Sequence, residues 1–196
     1  MGNLTSVQRA LEEAGAACFI SDLPHDIKEA SSIVLPGVGA FKEGMANLRS
    51  SGMADAILEA AKDNVPILGI CLGMQLLATN GDEGGGESGL NLIPGTIREM
   101  KAQPGERIPH IGWNEINQCG EHPMYEGIKD LTDFYFVHSF HFDNTGDHTV
   151  TKTPYAGGFS SSVAHGNIWG TQFHPEKSSK AGLKLLENFI NIPFTV

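Results

Sequence analysis

In Pro66-Ile67-Leu68-Gly69-Ile70-Cys71-Leu72-Gly73-Met74-Gln75 an apolar segment meets a cysteine set between glycines. The apolar run Pro66–Ile70 is short, as a buried strand is, and it runs straight into Cys71. Leu72–Ala78 then reads as helix. A strand that stops at a nucleophilic residue and turns at once into a helix has the geometry of a nucleophile elbow, here with cysteine in place of serine. Gly69 and Gly73 suit that turn, because it brings neighbouring backbone very close. The turn would hold the thiol at the carboxyl edge of the sheet, where open α/β folds place their sites. The helix start offers free N–H groups and a dipole that favour a thiolate and a developing oxyanion. A buried structural cysteine is the plainer alternative and describes most free cysteines. The strand–turn–helix context favours the nucleophile.

Outward from the elbow, the first half alternates helix and strand. Leu4, Val7, Leu11 and Ala14 form a helical stripe over residues 4–14, closed by Gly15. Apolar runs at Ala16–Ile20 and Ser32–Leu35 read as buried strands, and 43–61 reads as one helix with Met45, Leu48, Met53, Ile57 and Leu58 inward. This order implies a parallel sheet covered on both faces. Residues 80–89, rich in Gly, Asp and Glu, read as a flexible surface loop. Later, strand-like runs dominate at Thr96–Met100, Phe134–Val137, His148–Thr151, Ser161–Ala164 and Ile168–Gln172, before a helix near Ser178–Asn191. The expected fold is α/β: a mostly parallel central sheet flanked by helices, with a small antiparallel extension, in one domain over 1–196.

Composition narrows the function. The 196 residues are 40% hydrophobic and 18% charged, as in a globular chain, and carry a net charge of -10. That acidity argues against a nucleic-acid partner, since phosphate binding relies on Lys and Arg. No apolar run approaches a bilayer span. The opening Met1–Ser6 matches the loose myristoylation pattern at Gly2, but nothing supplies the second membrane signal a stable anchor needs. Three cysteines, Cys18, Cys71 and Cys119, form no spaced framework, which suits a reducing cytoplasm.

A cysteine nucleophile requires an oriented base. Gln172-Phe173-His174-Pro175-Glu176 supplies both at the end of the last expected strand. Pro175 restrains the backbone between His174 and Glu176. A carboxylate bonded to one ring nitrogen selects the tautomer that leaves the other facing the thiol. Leu35-Pro36-Gly37-Val38-Gly39 follows another expected strand, and its glycines allow a peptide N–H to point at a substrate oxygen. With the N–H of Leu72 it could form an oxyanion hole; an ordinary Pro-Gly turn is the alternative. His138 and His141 would sit on opposite strand faces, which argues against a metal pair.

Pro-Gly-Val-Gly, Gly-Ile-Cys-Leu-Gly-Met-Gln and Gln-Phe-His-Pro-Glu, in this order, resemble the class I (triad) glutamine amidotransferases. Pro109-His110-Ile111-Gly112-Trp113-Asn114, Phe134-Tyr135-Phe136-Val137-His138-Ser139-Phe140 and the Gly2–Val7 helix start resemble the glutaminase subunits of imidazole glycerol phosphate synthases. The resemblance implies Cys71 as nucleophile, His174 as base and Glu176 as its orienting carboxylate. It implies Gly37 and Val38 as the oxyanion strand, and Gly39, Gln75, Glu83, His138, Ser139 and Phe140 around bound glutamine. No cofactor is implied. The implied partner is a cyclase subunit with a (β/α)₈ barrel, met through Asn3, Trp113, Tyr135 and Lys177, with Lys177 facing an acidic residue. The cyclase would use the ammonia to make imidazole glycerol phosphate and an aminoimidazole carboxamide ribotide. The family also carries an apolar first strand ahead of the Gly-Asn segment, so the chain is expected to begin inside the natural sequence. A catalytically silent scaffold or regulatory subunit, and a thiol hydrolase acting on peptide or γ-glutamyl substrates, are the rival readings.

Overall fold

The computed structural model describes residues 4–143 and 145–192. Gly2, of the loose acylation match, and Asn3, an expected interface position, lie outside them. In chain order the helices are α1 (Leu4–Glu13), α2 (Pro24–Lys28), α3 (Phe41–Ser50), α4 (Met53–Lys62), α5 (Leu72–Leu76) and α6 (Ser179–Ile190). The strands are β1 (Ile33–Gly37), β2 (Ile67–Cys71), β3 (Ala78–Gly81), β4 (Glu87–Ser88), β5 (Ile93–Glu99), β6 (His110–Glu115), β7 (Asn117–Gln118), β8 (Asp133–His138), β9 (Phe140–Asp143), β10 (Thr149–Thr153), β11 (Phe159–His165) and β12 (Ile168–Thr171).

A 10-stranded sheet runs β1-β2-β12-β11-β9-β5-β3-β4, with β10 and β7 branching from β11. At one end β1, β2 and β12 are parallel, with Gly37 opposite Cys71 and Thr171 opposite Ile70. Beyond β12 the sheet is mixed: β11 and β9 run antiparallel to their neighbours, and β5 pairs parallel with β3. The expected α/β sheet flanked by helices is present, and its antiparallel portion is larger than the sequence suggested. A separate two-stranded sheet joins β6 to β8.

The period of two along β2 divides the core between the sheet faces. Leu68 and Ile70 face one cluster with Val7 and Leu11 of α1 and Leu185, Leu186 and Phe189 of α6. Ile67 faces the other, with Phe41, Met45, Ile57 and Met74. Ile67, Leu68 and Ile70 are at most 1% exposed, and each such side chain contributes about 1.5–3 kcal/mol by burial.

Three expectations are corrected. The helix over 43–61 is two helices, because Gly52 adopts φ 75 and ends the α3 register before α4 begins. Residues 80–89 are not simply a loop: β3 and β4 form a short antiparallel pair. Arg49 on α3 closes it, reaching Glu87 Oε1 and the Ser88 carbonyl at 2.6 Å each. Ala16–Ile20 forms no strand among the described residues. It lines a cavity of about 510 Å³ with Val7, Leu11, Val34 and Ile57 instead of pairing with β1, and Phe19 and Ile20 are exposed. Without a ladder partner, apolar composition alone does not make a strand.

Candidate active site

The three parallel strands deliver the key segments to one sheet edge. β1 ends at Gly37, β2 at Cys71, and β12 at Thr171, three residues before His174. Cys71 has φ 56 and ψ -112, a region cysteine rarely adopts. Strict alternation would set Cys71 on the Ile67 face, but it packs with the cluster of Leu68 and Ile70. The positive φ redirects the side chain at the strand end, as an elbow requires.

The flanking glycines answer to close backbone. A Cβ at Gly73 would stand 1.7 Å from the Leu35 carbonyl oxygen, and one at Gly69 would stand 2.6 Å from the Met74 nitrogen. Gly37 is also tight, its Cβ position lying 3.0 Å from Leu72 Cβ. The end of β1 therefore lies directly against the start of α5. Val38 beyond it is exposed, and Gly39 has φ 105 with open space around it. Gly37 and the first turn of α5, including Leu72, border Cys71 together, with Val38 next along the chain.

His174 is fixed from two sides. Its backbone N–H donates to the Tyr135 carbonyl at 2.9 Å, and its carbonyl accepts from Ser178 Oγ at 2.7 Å. Ser178 Oγ also accepts from the Tyr135 N–H at 3.0 Å, binding β8 to the histidine segment. The ring Nδ1 meets Glu176 Oε1 at 2.8 Å, with both side chains buried. Nδ1 thus carries a proton, and Nε2 is the atom left for the thiol. Nε2 makes no hydrogen bond of ordinary geometry among the described residues, and the Cys71 sulfur acts on the ring from nearby. Burial pushes the His174 pKa down, but the Cys71 sulfur and the Glu176 carboxylate outweigh it and hold the value at about 9. A cationic imidazole between an anionic carboxylate and a sulfur can activate a nucleophile and later deliver a proton.

One residue with a place in this site escaped the sequence reading. Gln172 Nε2 donates to Cys71 Sγ at 3.8 Å, and its Oε1 accepts from Gln75 Nε2 at 2.9 Å. Gln75 Nε2 also donates to the Phe140 carbonyl at 3.1 Å. The only sequence signal for Gln172 was its position two residues before His174. Gln172 therefore joins Cys71 to Gln75 and to the Phe140 carbonyl that Gln75 holds.

The remaining candidates are placed less directly. Glu83 Oε2 accepts from the Phe41 N–H at 2.6 Å, at the start of α3. The Ser139 carbonyl accepts from Met100, and the His138 ring is buried against His110. Trp113 and Tyr135 face each other across β6 and β8, their rings 6.1 Å apart, and Lys177 Nζ stands 5.6 Å from the Tyr135 ring centre. Ile111 and Trp113 are exposed. No group of three metal-ligating residues occurs among the described residues.

Comparison with known proteins places the chain in a family. A family model described as glutamine amidotransferase class-I matches residues 2–192. A Moorella thermoacetica protein named imidazole glycerol phosphate synthase subunit HisH is 46% identical over 190 residues, covering 96% of this chain and 90% of its own. A protein of the same name from Natronomonas pharaonis is 46% identical over 199 residues, covering 97% and 90%. A solved glutamine amidotransferase superposes with a TM-score of 0.74 at 17% identity, covering 96% of this chain and 94% of its own, a likeness of fold. The chain belongs to the class I glutamine amidotransferase family.

Proposed function

We propose that this chain is the glutaminase subunit of an imidazole glycerol phosphate synthase, acting in histidine biosynthesis in the cytoplasm. The observation that carries the reading is Cys71, held at φ 56 on a strand end beside the buried His174–Glu176 pair. The Cys71 thiolate attacks the side-chain amide carbon of glutamine, and the carbonyl oxygen becomes an oxyanion facing the Gly37–Val38 peptide and the Leu72 N–H. As the tetrahedral species collapses, His174 gives a proton to the leaving nitrogen and ammonia departs. Water, losing a proton to His174, then hydrolyses the thioester to glutamate and frees the sulfur. Glu176 keeps the ring in one orientation throughout. Gly39, Gln75, Glu83 and the His138–Phe140 backbone line the glutamine site.

The partner is a cyclase subunit, docked on the face carrying Trp113, Tyr135 and Lys177. Its (β/α)₈ barrel receives the ammonia and forms imidazole glycerol phosphate and an aminoimidazole carboxamide ribotide. No membrane-crossing helix occurs among the described residues.

Glutamate release measured with and without the cyclase tests the reading. Cys71→Ala should lose at least about 10³-fold in kcat while keeping its melting transition and its affinity for the cyclase. Retention of most of the activity would sink the mechanism. A silent scaffold would release no glutamate even in the complex, and a γ-glutamyl or peptide thiol hydrolase would work without the cyclase.

A further inference from the structure

The two strands β6 and β8 set His110 opposite His138. His110 Nδ1 lies 3.0 Å from His138 Nε2, and His138 Nδ1 lies 2.8 Å from the Phe140 carbonyl oxygen. Asn114 Nδ2 lies 3.4 Å from His110 Nε2. A carbonyl can only accept, so His138 carries its proton on Nδ1 and accepts at Nε2. His110 must then donate from Nδ1 and accept the Asn114 amide at Nε2. With both rings neutral, these contacts fix one direction of donation and one proton per ring.

The surroundings keep both rings neutral. Burial lowers the His138 pKa to about 3, aided by the nearby His110, His141 and His174 rings and opposed by the Phe140 carbonyl. Burial lowers His110 to about 4 against a small upward pull from Glu106. Tyr155 stacks on His110 with ring centres 4.0 Å apart, and Phe159 meets His138 edge-on at 4.9 Å.

The Phe140 oxygen also accepts from Gln75, which holds Gln172 against Cys71. Two donors, His138 Nδ1 and Gln75 Nε2, therefore meet on one oxygen, each at the head of a branch. One starts at Asn114, beside the exposed Trp113; the other passes Gln75 and Gln172 to the sulfur. Since both branches arrive as donors, no proton can cross the junction. The network holds geometry and does not conduct protons.

We propose that His110 and His138 are positioning residues: they hold the Phe140 carbonyl, and through Gln75 and Gln172 the Cys71 sulfur, and so tie the exposed β6–β8 face to the nucleophile. The inference rests on Cys71 being the nucleophile. Turning either ring would leave buried donors or acceptors unpaired at every later link, so the network holds as a whole or fails as a whole.

Long-range ¹H–¹⁵N spectra of the unaltered chain read the tautomers. Two neutral, Nδ1-protonated imidazoles persisting from pH 7 to pH 5 are expected; an Nε2-protonated or charged ring at either position at pH 6 overturns the proposal. Glutaminase kinetics in the complex with the cyclase supply the second reading. His110→Phe keeps the stack on Tyr155 but removes the donor, and should lower kcat on the order of tenfold. It should also slow iodoacetamide alkylation of Cys71. His110→Gln restores an N–H donor and should recover part of both losses. Equal activity in the Phe variant and the parent, or no difference between the Phe and Gln variants, assigns the rings to packing alone and overturns the proposal. Cys71→Ala serves as the reference: if it stays active, the nucleophile reading and this inference fall together. If it is inactive while the His110 variants match the parent, only this inference falls.

Discussion

His174 and His110 are each 3% exposed, yet one is held cationic and the other neutral. His174 has Glu176 on Nδ1 and the Cys71 sulfur beyond Nε2, and its pKa stands at about 9. His110 has an imidazole on one nitrogen and an amide on the other, and its pKa stands at about 4. Burial acts in the same direction on both, so the partner decides the sign. The Cys71 sulfur and the Glu176 carboxylate together keep one histidine protonated. Neutral neighbours turn the other into a fixed strut.

The largest expected effect separates the two roles by activity. His174→Asn should reduce glutamine turnover by roughly 10³–10⁴-fold, whereas His138→Gln should cost on the order of tenfold. Similar losses in the two variants, measured as glutamate released, would break the comparison.

Glu176→Gln tests the cause of the His174 shift. The amide keeps the shape but loses the charge that favours the imidazolium, so the His174 pKa should fall toward its ordinary 6.5. The alkaline limb of the pH–rate profile, expected near pH 9 in the parent, should move down. The rate at pH 7 should fall about 10- to 100-fold, less than on loss of the ring. An unmoved limb would mean that the carboxylate is not what charges His174.

The two environments also leave opposite marks on stability. His174 is raised above its unfolded value of 6.5, so its contribution is complete below pH 6.5 and is lost as pH rises through about 9. His110 and His138 are lowered, so the unfolded chain binds protons that the folded chain refuses. Their contribution is present above pH 6.5 and is lost as pH falls through about 4 and about 3. Each can add up to about 1.4 kcal/mol of lost stability per pH unit between 6.5 and those values. Urea unfolding of the parent and of His110→Phe at pH 7, 6 and 5 should show the shallower pH slope in the variant. Parallel slopes would contradict the lowered value.

Lys177 gives the smallest effect and isolates charge that is exposed. Its ammonium stands over Tyr135 in solvent, so Lys177→Met should cost about 0.5–1 kcal/mol at most in unfolding experiments on the chain alone. The alkaline limb assigned to His174 should not move.

The elbow geometry was legible because it is local: strand, cysteine and paired glycines lie within a few residues. His174 and Glu176 were legible for the same reason, separated only by Pro175. Gln172 was not, because its two partners, Gln75 and Cys71, are 97 and 101 residues away. The histidine pair was hidden likewise, since only the β6–β8 register brings His110 to His138. In the fold, the helix break at Gly52 went unseen because the apolar spacing continues across it. The β3–β4 pair looked like a loop because Arg49, which closes it, belongs to a distant helix.

Gly69, Gly73 and Gly170 leave the backbone bare where α5 settles on the sheet: a Cβ would stand 2.6 Å from the Met74 nitrogen at Gly69, 1.7 Å from the Leu35 oxygen at Gly73, and 2.6 Å from Met74 Cγ at Gly170. The usual scale of mutational tolerance is therefore inverted at this corner. Alanine, the mildest replacement on most of a protein surface, is an intruder here, and one added methyl at Gly73 must push the nucleophile turn and the end of β1 apart.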